Sequence, residues 1–181
     1  KATVAVTLYN LTRVTQKGYF DTMDEEARFA LKQKLAAQRT EEFRTGEIKP
    51  QGGLPATTAD SAPDYLKQYV DYYKSEKRGY HPRSLNSNMG WNITTTLMRL
   101  NQNLWIAADE IRTPVLIVHG EKAHSRYFGE EAYQKITNGK YADNKRLLIV
   151  PGATHCDLYD GGEGNFIPWN DIFTFYQSNL K

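Results

Sequence analysis

Three short apolar runs stand out along an otherwise polar chain: residues 2–9 (Ala-Thr-Val-Ala-Val-Thr-Leu-Tyr), 115–119 (Val-Leu-Ile-Val-His) and 146–150 (Arg-Leu-Leu-Ile-Val). Unbroken β-branched and aliphatic runs of this length, without polar alternation, predict strands covered on both faces. Between them the period changes. Thr22-Met23-Asp24-Glu25 has the form of a capping box, with the Thr22 hydroxyl and Glu25 carboxylate closing a first helical turn. Ala27, Leu31 and Leu35 then share one helix face, with Lys and Arg between them. Gly46, Pro50, Gly52, Gly53 and Pro55 break the chain into a loop. A second helix is predicted from near Pro63, with Leu66, Tyr69, Val70 and Tyr73 at helical spacing. Residues 77–91 read as irregular. Residues 129–136 predict a helix, and residues 168–180 a closing amphipathic one with Ile172, Phe173 and Tyr176 inward.

This pattern sets the organisation. Strands alternating with helices after Pro114 imply parallel pairing in a doubly wound α/β sheet. Roughly a hundred residues separate the first strand from the second, far more than an ordinary connection, and such insertions usually carry function. The reading is therefore a core strand at 1–10, a helical lid or cap at 11–112, and an α/β core at 113–181. A first strand that opens the chain without a preceding helix or turn suggests a start inside a fold, the alternative being an edge strand of a small α+β domain.

Composition narrows the function classes. In 181 residues, 23 basic groups face 21 acidic ones for a net charge of +2, so a dedicated nucleic-acid surface is not implied. No apolar run approaches a membrane span, and mean hydropathy is −0.65. The single cysteine, Cys156, excludes an intrachain disulfide framework. Twelve tyrosines and three tryptophans suit a folded pocket.

In open parallel sheets, reactive groups gather beyond the carboxyl ends of the strands. Three loops qualify here: 9–11, 120–125 and 152–157. The last places His155 a few residues beyond a buried strand, where a histidine either caps backbone groups or acts as a base. His119, His124, His155, Cys156, Asp157 and Glu121 are of metal-ligating types, but their spacing matches no zinc signature, and no metal is expected. Asp157 is expected to order the histidine loop locally. Cys156, adjacent to His155 on an extended segment, reads as a buried structural thiol rather than its nucleophile. In the insertion, Tyr80, His81 and Trp91 lie in irregular sequence and are the candidate substrate-binding residues.

The segments 113–122 (Thr-Pro-Val-Leu-Ile-Val-His-Gly-Glu-Lys) and 148–155 (Leu-Ile-Val-Pro-Gly-Ala-Thr-His) resemble the penultimate strand and the histidine loop of the α/β-hydrolase superfamily. Residues 120–128 (Gly-Glu-Lys-Ala-His-Ser-Arg-Tyr-Phe) and 79–83 (Gly-Tyr-His-Pro-Arg) are similar to the dienelactone-hydrolase-related group. The resemblance covers essentially the whole chain and is specific in its last 70 or so residues. It implies the C-terminal part of a mostly parallel hydrolase sheet with an inserted helical lid, residues 3–8 being the sixth strand. It implies hydrolysis of an ester, thioester or lactone through an acyl-enzyme, with His155 as general base and no cofactor.

Two departures qualify this. No serine stands in a G-x-S-x-G elbow, so the nucleophile and the oxyanion-hole donors are expected upstream of Lys1, and the chain alone is expected to be inactive. The family's acid position after the penultimate strand is Ala123, which makes Glu121 the first candidate acid. The expected partners are a small ester-like substrate, and a missing N-terminal half or a second copy covering the first strand's edge. The competing class is a non-catalytic hydrolase-like protein that binds a ligand or partner.

Overall fold

A computed structural model describes residues 1–180. Along the chain run β1 (Thr3–Val6), α1 (Leu11–Lys17), α2 (Glu25–Thr45), β2 (Pro50–Gly52), α3 (Asp64–Tyr73), β3 (Gly90–Asn92), α4 (Thr96–Leu100), β4 (Val115–Gly120), α5 (Arg126–Ile136), β5 (Lys145–Val150), α6 (Asp157–Asp160) and α7 (Trp169–Asn179). The fold is mixed α/β. The chain divides into two compact units, one formed by residues 1–9 and 104–181, the other by residues 10–103.

The first unit is built on a three-stranded sheet in the order β1-β4-β5. Both pairings are parallel, Thr3 to Val6 lying against Val115 to Val118 and Val115 to Gly120 against Lys145 to Val150. The central strand β4 is buried along its whole length, as its unbroken apolar run requires. Its alternate residues serve two cores. Leu116 and Val118 pack with Val150, Ala153, Leu158 and the α7 residues Ile172 and Phe175. Val115 and Ile117 pack with Ala108 and the α5 residues Ala132 and Ile136. Helices thus cover both faces, and one side-chain period sorts each residue to its core.

Two helix readings shift. On α7 the inward residues are Ile172 and Phe175, while Phe173 is 60% exposed. The helical phase carries 172, 175 and 176 together and turns 173 outward. Helix α5 begins at Arg126, three residues before the expected glycine, because Gly129 lies within the helix and faces the sheet rather than opening the turn.

In the second unit, α2 does not start from the expected capping box. Asp24 is its N-cap, its Oδ1 accepting from Ala27 N–H at 2.8 Å, while the Thr22 hydroxyl donates to Tyr19 O at 2.9 Å. Of the expected stripe, Leu35 is buried, Leu31 is half-buried and Ala27 is exposed. Gly46 ends the helix in the left-handed conformation at φ 75°, where a residue without Cβ is favoured. Helix α3 follows Pro63 as the spacing predicts, with Val70 buried.

Elements the pattern does not announce are the short α1, α4, α6, β2 and β3. Asn10 caps α1 through a bond from Arg13 N–H at 2.9 Å. Gln16 then donates to the carbonyls of Arg99, Leu100 and Gln102, at 3.0, 3.2 and 2.9 Å, and satisfies the end of α4. The ribbon β2–β3 is antiparallel and three residues long. No helix among the described residues is long and apolar enough to cross a membrane.

Candidate functional site

The carboxyl ends of β1, β4 and β5 come together in the first unit. The loops after β4 and β5 are laced by Glu121 N–H to Val150 O and Lys122 N–H to Ala153 O, both 2.9 Å. Gly120 makes this possible: a Cβ there would stand 2.3 Å from the Ala153 carbonyl oxygen. Gly129 does the same for α5, since a Cβ there would stand 2.3 Å from Cδ2 of His119. At the end of β1, Thr7 is buried at φ 51°, a conformation that β-branched residues rarely adopt. Its N–H still pairs with Val118 O at 2.9 Å, and the turn that follows aims the Leu8 carbonyl at His119, 3.0 Å from Nε2. His119 Nε2 therefore carries the proton and donates it.

These constraints enclose His155. The residue is 2% exposed, and both ring nitrogens are engaged by hydroxyl oxygens. Nδ1 lies 2.5 Å from Ser125 Oγ, and Nε2 lies 2.6 Å from Tyr159 Oη. Tyr9 presents its ring edge-on at a centroid distance of 6.2 Å, and His124 lies at 5.4 Å and His119 at 6.4 Å. Burial, reinforced by His124 and then His119, lowers the His155 pKa to about 3. Burial, then His119, lowers that of His124 to about 4. Burial also pushes His119 down, outweighing the opposing bond to Leu8. All three imidazoles are neutral at pH 7, so the site holds a cluster of uncharged bases, not a cationic patch.

Asp157 orders the histidine loop by accepting from Thr154 N–H and from the Thr154 hydroxyl, each at 2.8 Å. This is the local role its spacing suggests. Cys156 is buried. Glu121 bonds to the turn after β5. Its carboxylate accepts from Gly152 N–H at 2.8 Å and braces the Pro151-Gly152 turn, while the Nδ1 of His155 goes to Ser125. The residue that sequence reasoning misses is thus Ser125, two positions beyond Ala123. Its signal in the sequence is a hydroxyl within the loop that should hold the acid, although no elbow surrounds it.

Tyr80, His81 and Trp91 lie in the second unit. His81 Nδ1 accepts from Arg83 N–H at 3.1 Å, a turn-forming bond, and Tyr80 is partly exposed. Trp91, in β3, packs over Gly52 and carries the Arg99 guanidinium 5.9 Å from its ring centroid. Among the described residues, no group of three His, Cys, Asp or Glu side chains is placed to hold a metal ion.

The chain is similar to two curated bacterial proteins. It is 40% identical over 181 residues to the uncharacterized protein PA2218 of Pseudomonas aeruginosa, covering 99% of this chain and 46% of that protein. It is 25% identical over 166 residues to the uncharacterized protein YcjY of Escherichia coli, covering 89% of this chain and 50% of that protein. The chain thus spans about half the length of the curated relatives it matches. The crystal structure of PA2218 superposes with a TM-score of 0.87 at 39% identity, over 99% of this chain and 54% of that one. The structure of DcsB in complex with its substrate analogue superposes with a TM-score of 0.62 at 17% identity, over 99% and 57%, which shows a shared fold. No family model matches the chain.

Proposed function

We propose that this chain is the histidine-bearing C-terminal portion of an α/β-hydrolase of the dienelactone-hydrolase-related group, acting in the longer protein on an ester, thioester or lactone. The observation behind this reading is His155: a buried, neutral imidazole at the end of a parallel strand, held at both nitrogens, beside the loop that follows the neighbouring strand. In the proposed reaction a serine or cysteine from outside these 181 residues adds to the substrate carbonyl and loses its proton to Nε2. The same proton then goes to the leaving group; His155 next deprotonates the water that cleaves the acyl-enzyme and returns that proton to the departing serine or cysteine. For these steps Nε2 exchanges Tyr159 for the nucleophile. Contact of Tyr80, His81 and Trp91 with substrate is the part of the proposal carried by sequence alone.

The test compares the longer protein with the 181-residue chain on short p-nitrophenyl esters and thioesters. The proposal expects turnover by the longer protein, abolished by His155→Ala, and none by the chain alone. Turnover by the chain that depends on His155 would overturn the external nucleophile. A longer protein that binds these compounds without cleaving them would favour the competing reading of a hydrolase-like binding protein. The neutral hydroxyl on Nδ1, where a triad has a carboxylate, is the observation on that side.

A further inference from the structure

We infer that Ser125 is the positioning residue of His155, a neutral hydroxyl that fixes the imidazole through Nδ1 from the loop where the resembled enzymes carry an acid. This role deepens the hydrolase reading and rests on it for its catalytic meaning, though not for its geometry.

Four features of the fold converge on the contact. Ser125 is fully enclosed at 0% exposure, so its hydroxyl is shaped for an internal partner and not for substrate. That partner is Nδ1 of His155 at 2.5 Å, across thirty residues of sequence. Ser125 is held at the start of α5, and its own carbonyl accepts from Phe128 N–H at 3.0 Å, which fixes its backbone. The loop it closes is laced to the histidine loop through Lys122 and Ala153. The two side chains therefore have little freedom to separate without unlacing two strand ends.

A hydroxyl differs from a carboxylate in one chemical respect that matters here. It can donate to a bare Nδ1 or accept from Nδ1–H by rotating about its C–O bond, whereas an ionised carboxylate only accepts. Ser125 thus orients the ring in either tautomer without supplying charge to an imidazolium. Other groups facing the ring include Tyr159 on Nε2, Tyr9 edge-on, and the neutral imidazoles of His124 and His119. The site is built to hold an uncharged ring in a fixed orientation.

The experiment uses the 181-residue protein labelled with 15N-histidine, reading the ring nitrogens of His155 by long-range 1H–15N spectra from pH 8 to pH 3. Ser125→Ala is expected to move the Nδ1 resonance and shift the tautomer balance, and Ser125→Thr to restore both. Ser125→Asp is expected to raise the His155 titration by about 1–3 pH units, as an opposite charge at this range does. If Ser125→Ala does not fold, the contrast of Thr with Asp decides the question. Resonances and titration unchanged in Ala and Asp would overturn the inference. So would covalent capture of Ser125 by a fluorophosphonate in the longer protein, which would make it a nucleophile. None of these measurements needs turnover, so an inactive longer protein would refute the hydrolase reading and leave the positioning role standing.

Discussion

The α carbon of Gly120 lies so close to the Ala153 carbonyl that a methyl group on it would sit 2.3 Å from that oxygen. The obstacle is backbone, which cannot rotate aside as a side chain would. Gly120→Ala is therefore expected to part the loops after β4 and β5, at a cost of about 1–3 kcal/mol. Urea titration checks this, and an unchanged midpoint would show that the two loops are not rigidly coupled.

Acid should destabilise the first unit through its histidines. In the unfolded chain each imidazole takes up a proton near pH 6.5, whereas in the folded protein His124 waits until about 4 and His155 until about 3. Between those values the unfolded state binds more protons, so stability falls as pH falls from about 6.5 toward 3. The loss should reach on the order of a few kcal/mol by pH 4. Urea midpoints at pH 7, 6, 5 and 4 give the measurement, and a flat profile would mean that the histidines are wetter than the structure shows.

Leu35 is the fully buried aliphatic residue of α2, a helix otherwise polar or exposed over most of its surface. Leu35→Ala should cost about 2–5 kcal/mol. Because Leu35 belongs to residues 10–103, the loss should fall on that unit. Hydrogen exchange resolves the question residue by residue: faster exchange in α2 with β4 and β5 unaffected is expected, and uniform acceleration would show the units unfold together.

Glu121→Gln should leave His155 as it was, because the carboxylate braces Gly152 N–H instead of the imidazole. A stability loss of about 0.5–1.5 kcal/mol is the expected scale for one such bond. If the substitution moved the His155 ring nitrogens, Glu121 would regain the role that its sequence position suggests.

The edge of β1 offers a test of association. Within the sheet, β1 pairs on one side with β4, and its other side has no strand among the described residues. An edge strand presents a row of unpaired N–H and C=O groups to which another strand can add. The proposed cover is an N-terminal half of the longer protein or a second copy of the chain. Light scattering in dilute solution should report association of the 181-residue chain, and a monodisperse 20.7 kDa species with cooperative unfolding would count against it.

What is legible in the sequence follows from how locally each feature is encoded. The strand at Val115–Gly120 announces itself because burial along its whole length leaves no polar position in its middle, and Lys145–Val150, although only half-buried at 147–149, keeps an unbroken aliphatic run over 147–150. His155 is legible from the strand and Pro-Gly turn before it. The partner of His155 is not, since whether residue 121 or 125 reaches Nδ1 depends on how the loop turns after Gly120. That turn is set by backbone bonds to Ala153 and Val150, thirty or so residues away. The phase of α7 is ambiguous at Phe173 because both faces of that helix carry aromatic residues, so hydrophobicity alone does not choose between them. The ribbon of Pro50–Gly52 with Gly90–Asn92 pairs glycine- and proline-bearing triplets that resemble loop when read singly.

The connectivity of β1 has a bearing on the order of assembly. Thr3 finds Val115 across the whole of residues 10–103, whereas β4 and β5 are joined through α5 within a single short excursion. Closing a loop costs more entropy the longer and looser it is, although only logarithmically. The β4–α5–β5 segment can therefore organise first, as a local nucleus, and β1 docks onto it late. The last strand to join is the one whose far end carries Thr7, Leu8 and Tyr9 to the histidines. With β1 docking last, the cluster around His155 would be completed only at that step, and a species still lacking β1 would have a sheet without a finished site.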